Sequence, residues 1–170
     1  MNDHEVDHKL LGIYLNDHLA GATAGRDLAR RAAGANAGDA FFGPPLSRLA
    51  TEIDEDRDTL LELMRELGVG EDRIKEIGGW AGEKLGRLKL NGQLLGYSPL
   101  SRMIELEGLS LGIAGKLSLW LALAHVAESH PELDPVQLRA LIVRAQSQQA
   151  EAQELRLRAA ELAFVKTAAR

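Results

Sequence analysis

The chain has 170 residues, of which 45% are hydrophobic and 26% charged, and its formal net charge is −5. Proteins that bind phosphate backbones present concentrated positive charge, so this acidic balance excludes nucleic acid as an expected partner. The chain has no cysteine, which excludes disulfides, thiolate metal sites and a cysteine nucleophile. The absence of cysteine fits a reducing compartment, and we expect a cytoplasmic protein.

Length and aromatic content favour one all-α domain spanning residues 1–170. A chain of this size buries a single hydrophobic core by default. Aromatic residues make up only 4% of the sequence. Abundant Leu, Ala and Gly suit closely packed helices better than the β-branched and aromatic faces of a β-sandwich.

The first two helices are predicted from apolar residues at helical spacing. The first covers about residues 5–33, and Gly34 follows it as a C-terminal stop. Pro44 and Pro45 then lie in a predicted loop, because proline cannot continue a helix. The second helix covers about residues 46–67.

Two N-terminal signals begin the last two helices. Ser98-Pro99 and Asp134-Pro135 each combine an N-cap side chain with a proline at the first helical position. They predict a third helix over residues 99–129 and a fourth over residues 135–166. The long connection before the third helix contains a predicted short amphipathic helix at about residues 71–88. Because this connection can cross the length of a bundle, we expect an antiparallel four-helix bundle with a long crossover between its second and third helices.

The third helix is apolar enough to raise the question of a membrane span. Its run over residues 109–127 approaches the roughly 20 apolar residues that a span requires. Lys116 lies near the middle of the run, and no aromatic belt flanks both ends. We therefore expect a buried core helix and no membrane span.

Each long helix carries polar residues in the middle of its predicted apolar stripe. They are, in chain order, Asp17 with His18, Glu52 with Asp56, Glu105 with Glu107, and Gln148 with Gln149. Burying an ionised group costs several kcal/mol unless it is paired or binds a metal, so these side chains are expected to meet.

Two interpretations of this polar layer stay open. One is a hydrogen-bonded layer that fixes the register of the helices, with Lys116 or Arg144 neutralising the acids. The other is an iron or manganese site, since an imidazole and several carboxylates in a bundle core are suitable ligands. Its expected metal ligands are His18, Glu52, Asp56 and Glu107.

Four long helices, the crossover and the mid-helix carboxylates resemble the ferritin-like superfamily over nearly the whole chain. The di-metal site of that family takes a single Glu from each of two helices and a Glu-x-x-His motif from each of the other two. Glu107 matches one single-ligand position, and His18 or Asp17 matches the other loosely. Residues 52–55 have Glu where the motif has His, and residues 146–149 have neither residue of the motif. The resemblance therefore implies the fold, in a member of the superfamily without established activity.

We expect a non-catalytic bundle protein without a cofactor, whose helix faces mediate self-association, as in a homodimer, or contact with a protein partner. The alternative is an iron- or manganese-binding protein with oxidase, peroxidase or metal-handling activity. For Lys116, pairing with a carboxylate is favoured over a catalytic role. The spacings Gly21-x-x-x-Gly25 and Gly108-x-x-x-Gly112 predict close approach of helix backbones.

Overall fold

The computed structural model describes residues 8–71 and 97–165, which form four α-helices and one 3-10 turn. The helices are α1, His8–Ala35; α2, Gly43–Glu66; α3, Pro99–Val126; and α4, Pro135–Phe164. The 3-10 turn, Ala127–Ser129, extends α3. Neither described range contains a strand, and the predicted all-α class is confirmed. The short helix predicted within the crossover lies outside the described residues.

Both predicted N-terminal signals are confirmed. The Ser98 hydroxyl accepts a hydrogen bond of 3.0 Å from the backbone N–H of Ser101, at the start of α3. The Asp134 carboxylate accepts one of 2.8 Å from the backbone N–H of Val136, at the start of α4. The first amide groups of a helix have no partner inside it, so these side chains replace one missing bond at each end.

Helix α2 begins earlier than the sequence predicts. It starts at Gly43, so Pro44 and Pro45 lie in its first turn and not in the loop. A proline there removes no helical hydrogen bond, because the first amides are unpaired in any case. A Cβ on Gly43 would lie 2.8 Å from the backbone oxygen of Asn36, so the tight entry into α2 requires glycine.

The two helices of each sequential pair pack along each other in opposite directions. In the first pair, Thr23 of α1 bonds Arg57 of α2, and Arg30 of α1 pairs with Asp54 of α2. In the second pair, Glu107 of α3 pairs with Arg156 of α4. Lys116, which comes later in α3, bonds Gln148, which comes earlier in α4. Each pair is therefore an α-helical hairpin.

Contacts between the hairpins also run in opposite order along their helices. Arg31 of α1 pairs with Glu105 of α3, and Asn36, further along α1, bonds Arg102, earlier in α3. Between α2 and α4, Arg48 pairs with Glu151 and Glu55 pairs with Arg144. Each helix is thus antiparallel to both helices that it contacts in these pairs.

The hydrophobic core consists of two clusters. One includes Leu15, Leu60, Leu119, Trp120 and Leu141, and the other includes Leu28, Leu49, Ile53, Ile113 and Leu155. Along α2, α3 and α4, the residues between the clusters are Asp56, Lys116 and Gln148 respectively. Burying a large aliphatic side chain contributes roughly 1.5–3 kcal/mol, so both clusters stabilise the fold while the polar residues lie between them.

The apolar run of α3 is buried on one side only. Leu109, Ile113 and Leu119 are at most 2% exposed, whereas Leu111 is 70% exposed. The α3 segment is long and apolar enough to cross a membrane, and only 28% of its most apolar window is buried. The expectation of a helix buried in the core therefore holds for the inner side of α3 and not for its outer side.

Candidate functional site

Asp56 of α2 lies at the centre of a buried polar layer. Its side chain is 4% exposed. The carboxylate accepts hydrogen bonds from Lys116 of α3 and from Arg144 and Gln148 of α4. Arg144 bonds Oδ1, and the other two donors bond Oδ2, so both oxygens have partners. A buried carboxylate is tolerated when it is ion-paired and hydrogen-bonded, and Asp56 meets both conditions.

Gln148 joins the other members of the layer. Gln148 is only 1% exposed. Its Nε2 donates a hydrogen bond of 2.8 Å to Glu52 Oε2 on α2. Its Oε1 accepts a hydrogen bond from Lys116 on α3. The amide therefore connects three helices, and this geometry requires its oxygen to face the amine and its nitrogen to face the carboxylates.

Lys116 is one of the two cations that pair with Asp56, and its side chain is 13% exposed. Burial lowers the pKa of its amine, and the adjacent Asp56 carboxylate acts in the opposite direction. The amine donates to both Asp56 and Gln148. The sequence favoured pairing with a carboxylate over a catalytic role, and the structure contains that pairing.

The structure brings together only some of the metal ligands predicted from the sequence. Glu52 and Asp56 lie in the polar layer, where Gln148 bonds both of them. His18 lies on α1 and shares a cavity wall with Asp56. Within residues 8–71 and 97–165, no group of three or more His, Asp or Glu side chains is arranged to hold a metal ion.

Glu107 does not point inward as the sequence predicted. Its side chain is 51% exposed, and its Oε2 lies 3.6 Å from Arg156. The buried acid of α3 is instead Glu105, whose side chain is 7% exposed. Two residues apart on a helix point about 200° away from each other, so burial of Glu105 directs Glu107 to solvent.

Glu105 belongs to a second polar network at the end of the bundle where α3 begins. It accepts hydrogen bonds of 2.9 Å from Arg31 of α1 and 2.8 Å from the hydroxyl of Tyr97. The Tyr97 hydroxyl also accepts a bond of 2.9 Å from Asn36. Burial raises the pKa of Tyr97, so the phenol stays protonated and remains a donor to Glu105.

Arg102 extends this network into the loop between α1 and α2. It donates to the side chain of Asn36 and, over 3.1 Å, to that of Asp39. Its guanidinium also lies 4.1 Å from the ring centroid of Phe42, a cation–π distance. The start of α3 is thereby fixed to the α1–α2 loop.

The sequence contained a signal for this second network. Glu105 precedes the buried Leu109 by four residues and Lys116 by eleven, which is close to three helical turns. The periodicity that places Lys116 inward therefore also places Glu105 inward. Its partners are Arg31 of α1 and Tyr97 just before α3, and neither carries a comparable signal in the sequence.

A cavity of about 400 Å³ adjoins the polar layer between α1, α2 and α3. Its apolar wall includes Ile53, Leu60, Leu109, Ile113, Leu119 and Trp120. Asp56 and Lys116 form part of the wall where the cavity meets the polar layer. The space is open to solvent on one side, because Asp17, Gly21 and Gly112 in its wall are exposed, so it is a cleft between the three helices and not an enclosed void.

Glycines line this cavity and do not bring the helices together as predicted. A Cβ on Gly21, Gly25 or Gly112 would have no neighbour within 4 Å. At Gly108, in contrast, a Cβ would lie 3.0 Å from Leu28 Cδ2. The prediction of close packing is therefore wrong at three of its four glycines, which face open space.

His18 lies in the cavity wall with its ring edge-to-face with Tyr14, at a centroid distance of 4.6 Å. Burial lowers the pKa of the imidazole, and the Asp17 carboxylate only partly opposes this effect. The ring is therefore neutral at pH 7 and has one donor and one acceptor nitrogen. Neither nitrogen has a hydrogen-bond partner in the described part of the chain.

Comparison with known proteins identifies no relative of this chain. No protein-family model, curated protein or solved structure matches it. The polar layer, the second network and the cavity are therefore interpreted from their own geometry.

Proposed function

We propose that this is a non-catalytic helical-bundle protein of ferritin-like topology, with a structural polar core, that self-associates through the outer face of α3. The observation that carries the proposal is the uncharged outer face of α3, which stays exposed among the described residues.

The directions of the helices support the topology. Because α1 is antiparallel to α2 and to α3, α2 and α3 run in the same direction. The end of α2 and the start of α3 therefore lie at opposite ends of the helices. Ferritin-like bundles have this arrangement, in which one long connection joins the second and third helices.

The charges of the polar layer support a structural role. Asp56 is neutralised by two cations from two other helices, and Gln148 takes up the remaining contacts. Such a layer penalises any register in which its members do not meet, because a charge would then be buried without a partner. Its geometry favours one arrangement of the helices and leaves Asp56 no uncommitted oxygen for a reaction.

The outer face of α3 supports self-association. Between Glu107 and Glu128 the one formally charged residue is Lys116, which points inward. The outer side over this length is therefore uncharged, with Leu111 70% and Leu121 49% exposed. An extended apolar surface on a water-exposed helix marks an interaction site. Two copies of the same face can pair about a two-fold axis, because such an interface needs only one self-complementary surface.

Sedimentation velocity at several protein concentrations tests the proposal. We expect the wild-type chain to sediment as a dimer and Leu121→Glu to sediment as a monomer, because a glutamate on the face would be desolvated without a partner. Ser47→Glu is the matched control, since it adds the same charge to an exposed position on α2 and should leave the dimer intact.

A wild-type chain that stays monomeric at the highest concentration of the series would contradict self-association. Loss of the dimer in Ser47→Glu as well would show that charge alone, and not the α3 face, determines association. If a monomeric wild-type chain floats together with neutral phosphatidylcholine vesicles, the face binds a membrane surface. That result would also contradict the proposal.

A further inference from the structure

The cavity beside the polar layer has the size of a small-molecule site. Ligand pockets commonly have volumes of about 300–1,000 Å³, and this one has about 400 Å³. A water molecule takes about 30 Å³ of liquid, so the space suits roughly 13 non-hydrogen atoms. It is too large for a packing defect of one missing methyl group.

The glycines in the wall keep this space open against the local preference of the helices. Gly21 and Gly25 lie within α1, and Gly112 and Gly115 lie within α3. Glycine in a helix interior is less favourable than alanine by roughly 0.5–1 kcal/mol. A Cβ at each of the four positions would meet nothing within 4 Å, so packing against neighbours does not require glycine there.

The charged groups in the wall leave no unpaired charge for an ionic ligand. Lys116 and Asp56 are paired with each other. Arg57 pairs with Asp58 at 3.1 Å and bonds Thr23, and Asp17 lies on α1 with its residue exposed to solvent. An additional buried charge would therefore be desolvated without a dedicated partner, which disfavours anions and cations alike.

Two polar groups of the wall have no hydrogen-bond partner among the described residues. One is the neutral imidazole of His18. The other is the indole Nε1 of Trp120, whose residue is only 1% exposed. A polar group without a partner is satisfied when a ligand supplies one, so an occupied site is expected to place an acceptor at one of these two donors, and the half-buried His18 is the more accessible of them.

We propose that this cavity binds an uncharged, mainly apolar small molecule of roughly 13 non-hydrogen atoms that carries one acceptor oxygen, such as an aryl ketone. The apolar body lies against the leucines and glycines of α1 and α3, and the oxygen accepts a hydrogen bond from His18. The proposal is independent of self-association, because the cavity faces α1 and α2 whereas Leu121 lies on the outer side of α3.

Isothermal titration calorimetry with 2-acetonaphthone as the probe tests this site. We expect saturable binding to the wild-type chain. Gly112→Leu should reduce the affinity at least tenfold, because the new side chain occupies the cavity. Gly34→Leu is the matched control, since Gly34 is also a helical glycine with open space around it but lies outside the cavity wall, and it should leave the affinity unchanged.

Two further comparisons test the chemistry of the site. His18→Phe should weaken binding of the ketone about three- to tenfold, the effect of one net hydrogen bond, and leave binding of 2-ethylnaphthalene unchanged. The anion 2-naphthoate, of similar size, should bind more weakly than the ketone. Absence of ketone binding, equal affinity in Gly112→Leu, or tighter binding of the naphthoate would overturn the proposal.

Discussion

Gln148 of α4 donates a hydrogen bond of 2.8 Å from Nε2 to Glu52 Oε2 of α2, and the same nitrogen donates one of 3.2 Å to Asp56 Oδ2. Glu52 lies in the α1–α2 hairpin and Gln148 in the α3–α4 hairpin, so the bond connects the two hairpins of the bundle. It also shows why an amide suits this position, since Gln148 must donate to carboxylates on one side and accept from an amine on the other.

Replacing Gln148 should destabilise the fold. Gln148→Leu removes a donor to two carboxylates and an acceptor for Lys116, and leaves those groups short of partners in the core. We expect the free energy of unfolding in urea to fall by about 2 kcal/mol. Gln149→Leu, one residue along and only partly buried, is the control and should change it by less than about 0.5 kcal/mol. Equal effects of the two substitutions would refute the role given to Gln148.

Glu105 and Glu107 should differ sharply in their effect on stability. Glu105→Gln removes the charge of a buried carboxylate that accepts hydrogen bonds from the partly exposed Arg31 and from Tyr97, so we expect a loss of about 2 kcal/mol. Glu107→Gln affects an exposed pair and should cost less than about 1 kcal/mol. Urea unfolding of both variants measures the difference, and a larger loss for Glu107→Gln would contradict the placement of the two acids.

Stability should decrease as the pH falls below the ordinary histidine pKa of 6.5, because burial lowers the pKa of His18 in the folded chain. The unfolded chain then binds a proton more readily than the folded chain, so acid favours unfolding between the unfolded pKa and the lower folded one. His18→Gln should flatten this part of the profile.

The groups around His18 do not reverse this sign. Asp17 and Tyr14 lie on its own helix, and Asp56, Arg57 and Lys116 share the cavity wall from the other two. A ¹H–¹⁵N titration that follows the imidazole directly should give a pKa below 6.5. A pKa above that value would show that Asp17 outweighs burial and would contradict this prediction.

Metal analysis should separate the two interpretations of the polar layer. The oxygens of Asp56 are already hydrogen-bonded, and Glu107 lies outside the layer, so two of the predicted ligands are not free to converge with His18 and Glu52. We expect protein purified without chelator, and then loaded anaerobically with Fe²⁺, to retain far less than one ion per chain after desalting. Stoichiometric iron or manganese that Asp56→Asn abolishes would instead support the metal site.

The parts of the fold that depend on local chemistry were predictable from the sequence. Ser98 and Asp134 cap their helices because an N-cap bond joins residues two or three positions apart. The pairing of Lys116 and Arg144 with Asp56 was also predictable, since buried acids need cations and these two residues lie mid-helix. The start of α2 was misassigned because a proline in the first helical turn and a proline that breaks a helix look alike in sequence.

Features that depend on how the helices fit together were not predictable. The choice between Glu105 and Glu107 follows from the rotation of α3 about its axis, which is set by packing against α1 and α4. The glycines at positions 21, 25 and 112 suggested close contact, whereas the structure has a cavity there. A glycine pattern is compatible with close helix contact and with a cavity. It shows that side chains are absent at these positions, but it does not determine the distance between the helices.

The free energy of unfolding of Lys116→Met and of the triple variant Asp56→Leu/Lys116→Met/Gln148→Leu tests the structural polar layer most directly. Removing the amine alone leaves a buried carboxylate with too few partners and should cost about 3 kcal/mol. Replacing Asp56, Lys116 and Gln148 together by apolar residues should restore stability to within about 1 kcal/mol of wild type, while Arg144 keeps Glu55 as its partner and Glu52 is only partly buried. A triple variant less stable than Lys116→Met, or a Lys116→Met variant as stable as wild type, would contradict the account.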